Sequence, residues 1–418
     1  MNAADTADTA EAADFSPLLE LSQLDLAGKR VLIREDYNVP LTDGQIGNDA
    51  RIQASLPTLR QVLQAGASVL VVSHLGRPAA GRRDETLSLR PVAERLSKLL
   101  GCPVRLQRDW LDGAEASPGE VVLCENVRFQ AGETDNEDNL ARRMAALCHV
   151  FVNDAFAVCH RRHASVYGIV KYAPVSCAGP LLLRELQVLS QCLEAPGRPL
   201  VAVVGGAKLE SKLGVLQNLL RQADRLVAGG AIGNALLAAA GHGVGASLAA
   251  AEKGDLEAAR TLLAHPRAER LLLPADAVCA RHCREDAESR ECRIAEVADD
   301  EIVLDWGPRT RDQVGALLRQ AGTILWSGPP GVFEMAPFSA GTRLVVEAIA
   351  QNREARSIAG GGNTLEALAR FGAPGGVSFA STGGGAFLHF LERGSLPCVN
   401  MLMESARAWT AMERGREL

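Results

Sequence analysis

The stretch SIAGGGNTLEAL, Ser357 to Leu368, carries a short apolar run into three glycines and then into a helix-like segment. That order is the one that ends a strand and brings a phosphate to backbone N–H groups. It recurs along the second half of the chain. LVAVVGGAKLESK (200–212), RLVAGGAIGNALL (225–237) and SFASTGGGAFLHF (378–390) each pass from a β-rich run through glycine into a helix, and TILWSGPPGVFE (323–334) adds a turn rich in Gly and Pro. One Gly pair after a strand reads as a tight connection, whereas four such turns in one half of a chain favour a phosphate and nucleotide face. None matches G-x-x-x-x-G-K-[ST] or gives a clean G-x-G-x-x-G, so neither a P-loop NTPase nor a dinucleotide dehydrogenase is indicated.

Outward from these turns, short β-rich runs alternate with helix-period segments over the whole chain. The pattern predicts an α/β fold with parallel sheets, whose ligands gather at the C-terminal ends of strands. At 418 residues there is chain enough for two domains with full cores. A net charge of −6 argues against a general nucleic-acid binder, and no apolar run approaches the roughly 20 residues that cross a bilayer. The acidic opening MNAADTADTAEAADF lacks a basic and apolar leader pattern and reads as a disordered extension, 1–16. Ten cysteines, several within apolar runs (Cys124, Cys148, Cys177), read as reduced thiols in a cytoplasmic protein. The cluster CARHCREDAESREC, with Cys279, His282, Cys283 and Cys292, fits no standard zinc spacing and reads as a polar loop.

In the first half the strands end in charged and imidazole side chains instead of glycine. RVLIREDYNVP gives Arg34, Asp36 and Asn38, and Arg51 follows in GNDARI. SVLVVSHLGRP gives His74 and Arg77, EVVLCENVRF gives Arg128, and VFVNDAFAVCHRRHAS gives His160, Arg161 and His163. Singly, each reads as a solvated or satisfied surface group. Loops along one edge of a parallel sheet converge, so their repetition predicts a basic cup for a small polyanion, to which arginine's planar fork is suited. The chain has only six lysines against 38 arginines, and Lys208 and Lys212 stand four apart after a glycine turn. They are expected on one face of a helix's first turn, as point charges for a transferring phosphoryl group. An anion cup in one half and a nucleotide face in the other mean phosphoryl transfer.

These residues carry a resemblance. From about Leu21 to Leu402 the chain resembles the phosphoglycerate kinase family, through REDYNVP, SHLGRP, ENVRF, NDAFAVCHRRHAS, GGAKLESK, GPPGVFE, GGGNT and STGGGA. The resemblance implies two doubly wound parallel-sheet lobes joined by a hinge. The bounds expected are 17–180 for the phosphoglycerate lobe, 181–199 for the interdomain helix and hinge, 200–395 for the nucleotide lobe and 396–418 for a segment returning to the first lobe. The implied reaction passes a phosphoryl group reversibly between 1,3-bisphosphoglycerate and Mg·ADP, giving 3-phosphoglycerate and Mg·ATP, in a monomer that needs no nucleic acid or membrane.

By the same resemblance Asp36, Tyr37, Asn38, Arg51, His74, Leu75, Gly76, Arg77, Arg128 and Arg161 bind phosphoglycerate. Arg51 also faces the transferred phosphoryl with Lys212, Gly383 and Gly384, while Lys208, Lys212, Glu334, Gly361, Gly362, Asn363 and Thr364 meet the nucleotide. The chain departs from the family at Glu35, where Val is usual, and at Ala231, Ser327 and Pro330. Asn363 stands where the family has its Mg²⁺-contacting Asp. Strand alternation sends Glu35 away from Asp36 into the apolar side, which requires a compensating partner. An active kinase is the first expectation. A weakly active or inactive relative with a regulatory or assembly role is the second, and another acyl-phosphate kinase the third.

Overall fold

The computed structural model describes residues 14–247, 253–372 and 375–416. Most of the expected N-terminal extension, 1–16, lies outside them. The described chain divides into two compact units, one running to Gln187 and resuming at Ser395, the other spanning Val188–Gly394.

The first unit opens with β1 (Arg30–Arg34) and a two-residue hairpin, β2 (Leu41–Thr42) and β3 (Gln45–Ile46). Then come α1 (Ala50–Gln64), β4 (Ser68–Val72), α2 (Arg90–Leu100), β5 (Val104–Gln107), β6 (Val121–Cys124), α3 (Asp138–Ala145), β7 (Val150–Asn153), β8 (Ser176–Ala178) and α4 (Pro180–Glu194), which begins in this unit and runs past Gln187 into the second. Its sheet is parallel throughout in the order β5-β6-β4-β1-β7-β8. The central strands are near-continuous Val, Ile and Leu because helices cover both faces, and every residue of β4 and β6 is buried. Val31, Ile33, Val69, Val71 and Leu123 meet Ile52, Leu59 and Val92 of α1 and α2 in one core. Each such side chain contributes about 1.5–3 kcal/mol on burial.

The second unit holds β9 (Leu200–Val204), α5 (Leu213–Gln222), β10 (Arg225–Ala228), α6 (Gly230–Ala239), α7 (Lys253–Leu263) and the short β11 (Leu271–Leu272). It continues through β12 (Asp276–Ala280), β13 (Ser289–Arg293), β14 (Ile302–Trp306), α8 (Pro308–Gln320), β15 (Thr323–Ser327), α9 (Ala340–Gln351), β16 (Arg356–Gly360), α10 (Gly362–Phe371), β17 (Phe379–Ser381) and α11 (Gly384–Arg393). The main sheet is again parallel, β11-β10-β9-β15-β16-β17. A separate antiparallel sheet, β13-β12-β14, takes in both ends of the cysteine-rich stretch, which is therefore not simply a loop. Cys279 and Cys292 lie on these neighbouring strands with sulfurs 3.7 Å apart, while Cys283 is exposed. Among the described residues no three His, Cys, Asp or Glu side chains are placed to hold a metal ion. The last helix, α12 (Pro397–Arg416), belongs to the first unit.

Candidate functional site

In the first unit the C-terminal strand ends bring the expected basic groups together, and a second layer of polar side chains fixes them. After β6, the Asn126 amide donates to the carbonyls of Leu75 and Leu87 at 2.8 and 2.9 Å, and its oxygen accepts from Arg128 N at 3.1 Å. Beside it Glu125 is buried and accepts from Ser88 Oγ and Leu89 N at 2.7 and 2.8 Å, tying the start of α2 to the same loop. Arg128 is buried and donates to the Gly76 carbonyl, while Gly76 N donates to Asn38 Oδ1 at 2.8 Å. Gly76 has φ +63°, a left-handed conformation that suits glycine. Arg51, on the first turn of α1, donates to Asp36 Oδ2 at 2.6 Å and to the Asn38 carbonyl at 3.2 Å.

Arg77, Arg128 and Arg161 line one cavity of about 250 Å³ with Gln130, Glu133 and His163. Arg34 is buried, donating to Ser165 Oγ at 3.0 Å and to His74 Nδ1 at 3.3 Å. Burial lowers the pKa of Arg34, and burial together with Arg161 and Arg34 holds Arg128 down to about 10. His74 is held well below its ordinary value by burial and by four arginines, and His163 is pushed down to about 4 by burial, three arginines and His160. Although His74 Nδ1 lies 3.7 Å from Asp36, the ring is therefore neutral near pH 7 and that nitrogen accepts from Arg34. His74 and His163 therefore add no positive charge here, and the arginines carry it.

Two of the expected contacts sit differently. The Tyr37 side chain turns into the core, its hydroxyl 2.9 Å from Ser55 Oγ, and Leu75 is a core residue. Only their main chain is left for a ligand. Glu35 is buried as alternation requires, yet its Oε1 has no hydrogen-bond partner, and burial and Asp154 push its pKa well up. Sequence reading missed Glu133 and Ser165. Glu133 accepts from Ser165 N and Oγ at 2.9 and 2.6 Å and supplies the buried negative charge beneath Arg34 and Arg128. One of four acidic residues in GETDNED, Glu133 offers no pattern that marks it.

In the second unit the four strand–glycine–helix turns occur where expected. Their backbones touch: Gly205 N donates to the Ser327 carbonyl at 3.0 Å and Gly230 N to the Pro330 carbonyl at 2.7 Å. A Cβ on Gly205 would overlap the Pro329 carbonyl, and one on Gly384 would stand 3.5 Å from Gly361 Cα. The loops GGGNT and STGGGA thus adjoin, with Gly362 opening α10 and Gly384 opening α11. Thr364 is buried and structural, donating to the Gly360 carbonyl at 3.0 Å and accepting from Gly328 N at 2.7 Å. Asn363, Glu366, Glu334 and Lys208 are exposed.

The lysine pair differs from the expected arrangement. Glycine at Gly206, φ +135°, delays the helix, so Lys208 lies in the loop, Glu210–Lys212 form a 3-10 turn, and α5 begins only at Leu213. The two are not neighbours on one helical face. Lys212 is partly buried, donates to the Gly205 carbonyl at 2.6 Å, and has its pKa lowered to about 8 by burial.

Comparison with known proteins agrees with this geometry. The phosphoglycerate kinase family model matches residues 21–394. The structure of phosphoglycerate kinase from Coxiella burnetii is 47% identical, with a TM-score of 0.84 over 94% of this chain and 100% of that one. Phosphoglycerate kinase from Pyrococcus horikoshii OT3 is 30% identical, with a TM-score of 0.81 over 93% of this chain and 99% of the other.

Proposed function

The chain belongs to the phosphoglycerate kinase family, and on that premise we propose how its own residues divide the work of moving a phosphoryl group between 1,3-bisphosphoglycerate with ADP and 3-phosphoglycerate with ATP. The first lobe, 17–180, takes the phosphoglycerate. The observation that carries this is the crowding of arginines around a cavity, with Arg128 held down to about 10 partly by its own neighbours. Cations that repel one another in a desolvated space are relieved by a polyanion. Asp36, Asn38, His74, Arg77, Arg128 and Arg161 fix the substrate, with the main chain of Tyr37, Leu75 and Gly76 at its edge. Arg51 exchanges Asp36 for the transferring phosphoryl and stabilises the charge that spreads over it.

The second lobe, 200–395, takes the nucleotide. Gly361, Gly362, Gly383 and Gly384 offer helix N–H groups to phosphate oxygens, Lys208 and Lys212 balance their charge, and Glu334 holds the ribose hydroxyls. Asn363 and Glu366 stand one turn apart on the exposed side of α10. An amide oxygen with a carboxylate suits a hard cation that keeps its phosphate and water ligands. Mg²⁺ carried by the nucleotide would be held there and would neutralise phosphate charge. Reacting atoms must come within about 3–3.5 Å. The segment 181–199 therefore acts as the hinge on which the lobes close once both ligands are bound, and 396–418 completes the first lobe.

All ten cysteines are free thiols, and among the described residues no helix is long and apolar enough to cross a membrane and Met412 is the one exposed large hydrophobic side chain. These features support a cytoplasmic monomer whose partners are small molecules. The test is a coupled assay with 3-phosphoglycerate and Mg·ATP, run beside solution scattering with each ligand and with both. Turnover with compaction on double occupancy is expected. Binding of both ligands without turnover would overturn the kinase reading in favour of a regulatory relative, and turnover without compaction would overturn the hinge.

A further inference from the structure

Strand β1 runs out into three consecutive charged residues that divide between two environments. Arg34 and Asp36 join the polar groups of the arginine cavity. Glu35 between them turns the other way and is 1% exposed, its Oε1 without a hydrogen-bond partner. Near it lies Asp154, fully buried at the end of β7. Asp154 accepts from Thr58 Oγ1 of α1 and, at 2.9 Å, from Leu182 N, so it caps the start of α4. The groups around Glu35 offer little relief. From β1 come Arg34, Asp36 and Tyr37, and from β7 Asp154. Beside Asp154 lie the Cys177 thiol of β8, pushed up by burial, and α4, which also carries buried Glu185. The α1 side contributes hydroxyls, Ser55 and Thr58. Among the described residues Arg34 is the cation acting on Glu35, and its guanidinium is already bonded to Ser165, His74 and the Glu35 carbonyl.

We propose that Glu35 is a positioning residue for phosphoglycerate: with Asp154 it keeps a proton beneath the arginine cavity, and loss of that proton loosens the turn that holds Asp36 and Arg51. Two carboxyl groups in a space that excludes water cannot both ionise without driving one out. Glu35 cannot leave alone. Its N–H donates to the Val72 carbonyl at 3.0 Å, its own carbonyl accepts from Arg34, and the Arg34 carbonyl accepts from Asp154 N at 3.0 Å. The next residue, Asp36, is the partner of Arg51. Burial raises Glu35 well above the usual carboxylate range and Asp154 to about 6. Because both folded values are raised, the associated stability is fully present below the ordinary carboxylate values. It falls as pH rises through about 6 for Asp154 and through the raised value of Glu35.

The inference rests on the reading that this cavity takes 3-phosphoglycerate, so its test joins a binding readout to one independent of turnover. KM for 3-phosphoglycerate and kcat are measured from about pH 6 to pH 9 for the parent, Glu35→Gln and Asp154→Asn, with thermal melting over the same range. In the parent, KM rises about tenfold toward alkaline pH and the melting temperature falls. Glu35→Gln, which imitates the protonated group, keeps KM flat and leaves in the melting only the fall near pH 6 that belongs to Asp154, while the alkaline loss of kcat that belongs to Lys212 remains. Should the amide fail to fold, Glu35→Val carries the same expectation. A Glu35 variant that reproduces the parent's pH dependence in KM and melting overturns the proposal, as does a parent flat in both. Melting that behaves as expected in a chain without turnover would support the buried proton and sink only the kinase reading.

Discussion

The arginine cavity of the first unit is made of side chains held by other side chains, whereas the glycine edge of the second is made of main chain held by main chain. In the cavity, Asn126, Glu125, Glu133 and Ser165 each spend their hydrogen-bonding capacity on fixing a neighbour. At the glycine edge, Gly205 leaves no room for a side chain and Gly230 little, Gly384 lies against Gly361 of the next loop, and amide groups are presented instead. The first plan makes charge depend on particular residues. The second makes geometry depend on the absence of them, so exposed side chains nearby are free to drift. Four of the five departures from the family pattern, Ala231, Ser327, Pro330 and Asn363, fall in the second unit.

The contrast is sharpest at Arg51. Arg51→Ala is expected to lower kcat about 10²–10³-fold while raising KM for 3-phosphoglycerate much less, since a preorganised donor to a transferring group acts mainly in the transition state. Steady-state kinetics decide it. Normal kcat with a raised KM would make Arg51 one more binding group. On the opposite plan, Gly205→Ala places a methyl against the Pro329 carbonyl and is expected to cost about 1–3 kcal/mol of stability. Gly362→Ala, whose Cβ meets nothing within 4 Å, is the control, expected within about 0.5 kcal/mol. Equal melting temperatures for the two would break the claim that backbone contact builds this edge.

Drift in exposed side chains is tested at Asn363. Asn363→Asp should raise kcat about tenfold and lower the Mg²⁺ concentration at half-maximal rate, as a restored charge at a phosphoryl centre would. A neutral or harmful result in a Mg²⁺ titration would mean the edge has been rebuilt around the amide. The smallest effect is expected from Lys212, the partly buried cation among the nucleotide contacts expected there. Burial lowers its pKa to about 8, so its charge is lost as pH rises through that value, and kcat should fall by about half at the midpoint. Lys212→Arg, charged throughout, should move that limb upward in a pH profile of kcat.

Much of this was legible in the sequence because two periodicities carry it. Strand-to-glycine transitions at Gly205, Gly229, Gly361 and Gly383 announced the second sheet's loops, and charged strand ends at Asp36, His74 and Arg128 announced the cavity. What escaped has local physical causes. The lysine spacing suggested a helix, but Gly206 takes φ +135° and postpones it. Thr364 was expected at the nucleotide, and its hydroxyl braces two loops, because a hydroxyl two residues past a glycine reaches main chain as readily as phosphate. Glu133 and Ser165 were invisible because their partnership spans 32 residues and shows no spacing. For Glu35, alternation gave the direction of the side chain but not its lack of a partner.

Helix α12 has a consequence for how the chain is made. Its Cys398 sulfur sits 2.7 Å from the Asn153 amide, Cys398 N donates to the Cys159 carbonyl at 3.2 Å, and Leu402 and Ala406 are buried. Asn153 ends the strand beside β1, so that strand's end is closed over by residues synthesised after the whole second unit. The unit whose strands are synthesised first is therefore the unit completed last, waiting on the whole of Val188–Gly394. A premature stop codon just after Gly394 would spare every strand of the nucleotide half and still strike the phosphoglycerate half, well downstream of the codons that specify its arginines.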